Sequence, residues 1–237
     1  MPLPKAETYT LEDIYNLPDG ERAELIDGQI YYMAPTPSRT HQKLSLKISN
    51  KIDTYITEHK GKCEVIAAPF AVFLNKDDLT YVEPDISVIC DPDKLNDKGC
   101  NGAPDWVIEI VSPSSKRMDY STKLFKYRTA GVREYWIVDP AKDRTMVWNF
   151  ENDDSEEYSF KDKVKAGIYP DLYIEFCRNR AVNTKKTQGT NGDFSSGVFL
   201  CGRLLLQTEE SKNNPNKYTY RENRVSPDGE KRSKILT

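Results

Sequence analysis

The sequence predicts an α/β protein in which helices flank a mixed β-sheet, and three observations support this class. Two long helical stretches alternate with short runs of valine, isoleucine and aromatic residues that are typical of buried strands. Asp27-Gly28, between two apolar stretches, is a strong signal for a tight hairpin. Because helices and strands interleave along the chain, we expect the helices to pack on a single mixed sheet.

The first elements are a short helix and a hairpin. Thr10 and Asp13 form a capping-box pattern that opens a helix reaching about Leu17. The two strands of the hairpin are expected at 22–26 and 29–33.

A long amphipathic helix is predicted from Ser38 to His59, because its apolar residues recur at helical spacing. Gly61 ends this helix. Two successive strands are then expected at 64–74 and 82–90, followed by a loop or short helix at 91–104.

A further strand is expected from Trp106 to Val111, and Ser112-Pro113 introduces the second helix, which runs to about Ala130. Gly131 occupies its C-terminal cap position. The remaining strands are expected at 134–138 and 145–150, with edge strands at 158–160 and 172–176.

The chain changes character after Cys177. Residues 1–177 are expected to form the folded domain, and 178–237 a basic and mostly disordered extension, because they are rich in polar residues. Within that extension only Val198 to Leu206 is apolar enough to form a buried element, so a small accessory subdomain is the alternative.

Charge is distributed unevenly over the 237 residues. The extension carries 12 Lys and Arg against 6 Asp and Glu, whereas the rest carries 22 against 31, a local charge of −9. An acidic body is not typical of nucleic-acid binding, unless a local basic face or a bound metal offsets it.

Cysteine usage and hydropathy favour a cytoplasmic protein. The five cysteines are widely spaced, without a C-x-x-C motif, so we expect free thiols rather than a disulfide framework or a zinc site. No apolar run approaches the ~20 residues that span a bilayer, and the N-terminus lacks a signal-peptide hydrophobic region.

Two carboxylates interrupt apolar strands and are the strongest functional signal. Asp85 follows Pro84, and Glu109 lies between Ile108 and Ile110. An unpaired carboxylate in apolar surroundings is unfavourable. If the two strands are neighbours, Asp85 and Glu109 can converge on one cation, most simply Mg²⁺.

Several ordered segments carry a resemblance to a known family. They are Glu24-Leu25-Ile26-Asp27-Gly28, Pro84-Asp85, 104–113, the set Asp119, Lys123 and Tyr127, and 131–140. On these segments the chain resembles the Uma family of putative restriction endonucleases, a branch of the PD-(D/E)XK nuclease superfamily. The resemblance runs from about Thr8 to Phe176 and implies a restriction-endonuclease-like fold, a Mg²⁺ site (with Mn²⁺ as a substitute) and hydrolysis of DNA.

The resemblance also implies roles for individual residues. Asp85 and Glu109 would be the metal ligands. The superfamily motif expects a lysine two residues after the second acid, where this chain has Val111. Lys123, from the following helix, would replace that lysine and stabilise developing charge. Glu24 would be a further acidic group of the catalytic site.

These expectations define one function and its alternatives. The expected activity is a Mg²⁺-dependent DNA endonuclease that hydrolyses phosphodiester bonds through a metal-bound water. The alternative is a catalytically inactive nuclease-fold protein that binds DNA or a protein partner, and a glycosidase with paired carboxylates is a third hypothesis. DNA is the expected partner, a membrane is not, and a homodimer is left open. His41 is expected to be a structural residue at the start of the long helix, with phosphate contact as the alternative.

Overall fold

The computed structural model describes residues 7–33, 36–75 and 77–176 with their side chains. Beyond them it describes the backbone of four strands, at 197–201, 204–210, 218–225 and 231–236. The chain divides into two compact units, Met1–Phe176 and Cys177–Thr237.

Helices and strands of the first unit alternate along the chain. In order they are α1 (Leu11–Tyr15), β1 (Ala23–Ile26), β2 (Gln29–Tyr32), α2 (Arg39–Glu58), β3 (Glu64–Ala67), β4 (Val72–Phe73), β5 (Ile86–Ile89), a 3₁₀ turn (Pro92–Lys94), β6 (Leu95–Asn96), β7 (Gly99–Asn101), β8 (Trp106–Ile110), a π-helical turn (Met118–Thr122), α3 (Lys123–Ala130), β9 (Glu134–Asp139), β10 (Arg144–Asn149), β11 (Asp154–Ser159), β12 (Lys163–Lys165) and β13 (Tyr173–Glu175).

A six-stranded mixed sheet forms the centre of this unit, in the order β11-β10-β9-β8-β5-β3. Only β8 and β9 are parallel within it; the other neighbours are antiparallel. The start of β5, the ends of β8 and β9 and the start of β10 therefore lie at the same end of the sheet, which we call the acidic end after the residues described below.

Helices cover both faces of the sheet. The buried side of α2, formed by Ile48, Ile52 and Ile56, packs with Trp106 and Ile108 of β8. On the other face, α3 contributes Tyr127 to a second cluster. Since successive residues of a strand point to opposite faces, the apolar side chains of β8 contribute alternately to the two clusters. This arrangement confirms the predicted class of a mixed sheet flanked by helices.

Local signals in the sequence set the predicted turns and caps. The Asp13 carboxylate accepts a hydrogen bond from the Thr10 amide at 2.7 Å, which is one half of the capping box. Asp27 and Gly28 both have left-handed backbone conformations, with φ of 52° and 74°, as a type I′ hairpin requires. Gly131, with φ of 93°, ends α3.

The stretch from Glu64 to Leu74 differs from the single strand that was expected. It consists of β3 and the short β4, with Pro69 between them. Proline has no amide hydrogen to give to a ladder, so the sheet pairing stops before it. β4 then joins a separate three-stranded sheet with β6 and β7.

The expectation of free thiols is wrong for one pair of cysteines. Cys63 and Cys90 form a disulfide bond. The reason is the antiparallel pairing of β3 with β5, in which Glu64 lies opposite Ile89, so that the flanking cysteines become neighbours. Their separation of 27 residues along the chain gives no sign of this proximity. Cys100 is a buried free thiol.

The second unit contains β14 (Gly197–Cys201), β15 (Leu204–Glu210), β16 (Tyr218–Val225) and β17 (Lys231–Leu236). They form an antiparallel sheet in chain order. The expectation of a mostly disordered extension, with an accessory subdomain as the alternative, stays a prediction. The other residues of the extension, to which the expectation also applied, lie outside the described residues.

Within the part of the chain that the structure describes, no helix is both long and apolar enough to cross a bilayer.

Candidate active site

Asp85 is the residue that precedes β5, at the acidic end of the sheet. Its Oδ2 atom accepts a hydrogen bond from the Ile110 amide of β8 at 2.7 Å. The same oxygen lies 3.1 Å from Nε2 of His41, in the first turn of α2. The Asp85 carboxylate is thus held between the sheet and the helix, and its side chain remains 19% exposed.

Glu109 comes from the neighbouring strand and lies beside Asp85. The pairing of Ile86 with Ile108 places the two acidic residues at adjacent positions of β5 and β8. Oε2 of Glu109 is 3.3 Å from the amide nitrogen of Asp85. β5 and β8 are therefore neighbours, as a cation shared by Asp85 and Glu109 requires.

Lys123, the first residue of α3, connects the remaining predicted residues. Its Nζ atom lies 2.9 Å from Oε1 of Glu109 and 2.8 Å from Oε1 of Glu24. Glu24 is in β1, and its carboxylate also accepts a hydrogen bond from the Glu83 amide at 2.9 Å. All four predicted site residues are consequently in one cluster, in which Lys123, Glu24 and Glu109 are almost completely buried.

Three further residues belong to the cluster but were not predicted as site residues. The hydroxyl of Tyr127 donates to Oε1 of Glu109 at 2.7 Å. Asp119 is buried in the π-helical turn, and its Oδ1 atom has no hydrogen-bond partner. His41 contacts Asp85, although it was expected to be structural. The spacing of Asp119, Lys123 and Tyr127 by four residues was a usable signal for Asp119 and Tyr127, because residues at this spacing share a helix face. Nothing local in the sequence linked His41 to Asp85.

Burial and charge shift the pKa values of these groups in a consistent way. Burial raises the pKa of Glu109 to about 8 and that of Asp119 to about 6, although the charge of Lys123 opposes both shifts. Burial alone would lower the pKa of Lys123, but the charges of Glu109 and Glu24 outweigh it, so that its pKa is raised well above the ordinary value. The lysine therefore remains a cation at neutral pH.

His41 responds to the same surroundings. Burial lowers its pKa, but the hydrogen bond and the charge of Asp85 outweigh that effect and leave the pKa above its ordinary value. Four carboxyl groups, those of Glu24, Asp85, Glu109 and Asp119, thus surround one lysine and one histidine. Their crowding favours the protonated forms of Glu109 and Asp119, and an added cation would favour the ionised forms instead.

The acidic cluster offers carboxylate oxygens, which are the donors that a divalent metal such as Mg²⁺ prefers. Among the described residues, no group of three or more His, Cys, Asp or Glu side chains is arranged to hold a metal ion. Mg²⁺, however, is usually bound by one or two carboxylates together with waters and substrate phosphates. The carboxylates of Asp85 and Glu109, with the unpartnered buried oxygen of Asp119 nearby, fit that mode.

Comparison with solved structures agrees with this architecture. The crystal structure of a putative nuclease belonging to DUF820, from Anabaena variabilis, is similar with a TM-score of 0.58 and 20% sequence identity. The similarity covers 70% of this chain and 94% of that one. The likeness shows the fold, a mixed β-sheet flanked by helices.

Comparison of sequences gives the family. The model of the Uma2 family, described as putative restriction endonuclease, matches residues 8–176. The chain belongs to this family. An uncharacterized protein of Synechocystis sp., slr1290, is 27% identical over 137 residues, which are 57% of this chain and 70% of the relative.

Proposed function

We propose that this protein is a Mg²⁺-dependent DNA endonuclease of the PD-(D/E)XK type. The observation that carries the proposal is the meeting of Asp85 and Glu109 across β5 and β8, with the Lys123 ammonium 2.9 Å from Glu109. Membership of a family described as restriction endonucleases supports a nucleic acid as the substrate.

Asp85 and Glu109 would hold the metal ion. Their hydrogen bonds to the Ile110 amide and to Lys123 and Tyr127 fix both carboxylates before substrate arrives. When bound, Mg²⁺ supplies positive charge at the scissile phosphate and lowers the pKa of a coordinated water. The preorganised carboxylates keep the cost of assembling this site low at the moment of reaction.

Lys123 supplies the cation that the motif position lacks. Val111 is buried and has no charge. The first turn of α3 instead brings the Lys123 ammonium to the carboxyl group of Glu109. From there it can orient the attacking water and stabilise the negative charge that develops on the phosphate. Glu24 holds the ammonium from the other side at 2.8 Å, which makes it a positioning residue in this proposal.

Plasmid cleavage tests the proposal. Supercoiled plasmid is incubated with wild-type protein, with Asp85→Asn and with Asp53→Asn, an exposed residue of α2 that serves as the matched control. We expect nicking or linearisation with Mg²⁺ or Mn²⁺, none with EDTA, and a loss on the order of 100-fold or more in Asp85→Asn alone. Cleavage that is equal in both variants, or resistant to EDTA, would contradict the assignment.

The same assay separates the inactive alternative. A protein that binds DNA but leaves plasmid intact with every metal, in wild type as in Asp85→Asn, would be a nuclease fold used for binding only.

A further inference from the structure

A basic cavity lies beside the acidic cluster and takes no part in it. The cavity is open to solvent and has a volume of about 570 Å³. Its walls carry four cationic side chains, those of Lys116, Arg117, Lys142 and Arg144. The body of the protein is otherwise acidic, so this concentration of positive charge calls for an explanation.

The cavity is at the acidic end of the sheet. Arg144 begins β10 and pairs with Asp139, the last residue of β9. Lys116 and Arg117 lie between β8 and the π-helical turn. Within that turn Asp119 belongs to the acidic cluster, whereas its neighbour Tyr120 lines the cavity. One short segment therefore separates the two sites.

Tyr120 organises the basic side chains. The Lys142 ammonium and the Arg144 guanidinium lie over its ring, at 5.5 and 5.8 Å from the centroid. Its hydroxyl donates to Oδ2 of Asp139 at 3.1 Å, which fixes the ring. The ring of Tyr120 thus brings the two cations together on this side of the cavity, where the Lys142 side chain is 41% exposed.

The positive charge of the cavity is only partly neutralised. Arg144 pairs with Glu157 at 2.7 Å, and Asp139 lies 4.0 Å from the Lys142 ammonium. Lys116 and Arg117 form no ion pair with any of the described residues. Nε of Arg144 is buried without a hydrogen-bond partner.

The ammonium of Lys142 shows the effect of this crowding. Desolvation lowers its pKa, and the positive charges of Arg144 and Lys116 lower it further. An anion in the cavity would relieve this repulsion and give Arg144 Nε an acceptor. Ser114 and Ser121 also line the cavity. Lysine, arginine and serine side chains are among the groups that contact phosphate oxygens.

We propose that the cavity binds backbone phosphates of the DNA strand next to the phosphate that is cleaved. The inference rests on the proposed function, because the adjacent acidic cluster determines which phosphate is the scissile one. The cavity would hold the strand in register, while the metal site would act on the neighbouring linkage. It would also supply the local basic face that an acidic nuclease needs.

DNA binding without cleavage tests this subsite. Fluorescence anisotropy of a short labelled duplex is measured in the Asp85→Asn background, with and without the double substitution Lys116→Gln/Lys142→Gln. Both lysines are exposed, so their replacement leaves the core intact. The matched control is Lys62→Gln/Lys165→Gln, two exposed lysines next to the opposite end of the sheet, near Glu64 and Glu134.

We expect the cavity variant to lose about tenfold or more in affinity at low salt. The slope of log K against log salt should become shallower by about 2, since each phosphate contact contributes about 0.9. The control should keep the parent's affinity and slope. Equal binding by all three proteins, or no DNA binding by the parent, would overturn the inference.

The two proposals can fail separately. If wild type does not cleave plasmid but binds DNA through the cavity, the activity fails and the cavity stands as a phosphate-binding site without a neighbouring scissile phosphate. If wild type cleaves plasmid and the cavity variant binds like its parent, the subsite fails and the activity stands.

Discussion

Replacing Lys123 by methionine tests the most unusual feature of the cluster, a buried ammonium between two carboxylates. Methionine preserves the unbranched apolar stem but removes the charge. Glu24 and Glu109, each within 3 Å of the ammonium at present, would then be buried without their cation. Removal of one partner of a buried ion pair typically costs about 3–5 kcal/mol.

The effect should depend on pH in a direction that the structure fixes. At pH 8 a substantial part of Glu109 is ionised, because its pKa is about 8 in the intact cluster. Without Lys123 that charge loses its compensation. At pH 5 Glu109 holds its proton, so the destabilisation by Lys123→Met should be clearly smaller there than at pH 8.

Lys126→Met is the matched control on the same helix. Its ammonium pairs with Asp27 at the surface, where the Asp27 side chain is 61% exposed and that of Lys126 is 15% exposed. Surface ion pairs contribute about 0–1 kcal/mol. Urea unfolding, followed by the fluorescence of buried Trp106 and Trp136, gives the free energy of unfolding of each protein. The buried ion-pair account of the cluster is wrong if Lys123→Met lowers the free energy of unfolding at pH 8 by no more than Lys126→Met does. It is also wrong if Lys123→Met lowers that free energy equally at pH 5 and pH 8.

Two other predictions concern stability. Burial raises the pKa of Glu109 from 4.5 to about 8 and that of Asp119 from 3.8 to about 6, so the folded state holds protons that the unfolded chain releases. The free energy of unfolding of the metal-free protein should therefore fall as pH rises from about 4.5 to about 8. Glu109 contributes at most about 5 kcal/mol to this fall, at 1.4 kcal/mol per pH unit. Glu109→Gln should flatten the dependence of the free energy on pH, and an unchanged dependence would speak against the raised pKa of Glu109. Reduction of the Cys63–Cys90 disulfide should lower the free energy of unfolding by about 3 kcal/mol, and Cys63→Ser should have a similar effect without reduction. Non-reducing peptide mapping should recover the two cysteines in one linked peptide.

Elements with a strong local pattern were predictable from the sequence. The periodic apolar residues of α2, the Asp27-Gly28 hairpin and the Gly131 cap all depend on residues within a few positions of one another, and the structure has each of them. The buried positions of Tyr135 and Trp136 in β9 likewise follow from their apolar strand.

The resemblance to a nuclease family singled out the four acidic and basic residues that the structure brings together. Asp85 and Glu109 also stood out without the resemblance, because they interrupt apolar strands, where a charged side chain needs a specific partner. The sequence did not identify that partner. Glu24 was as compatible with an exposed position as with the buried one that it occupies beside Lys123.

The sequence by itself determined the long helix α2, the Asp27-Gly28 hairpin, the helical cap at Gly131 and the presence of carboxylates in apolar strands. Only the tertiary structure decided that β5 lies beside β8, that Lys123 reaches Glu24 from 99 residues away, and that Cys63 meets Cys90. The physical reason is the range of the interactions. Helix periodicity and turn conformation are set by adjacent residues, whereas strand pairing and buried ion pairs depend on which distant segments the whole core brings together.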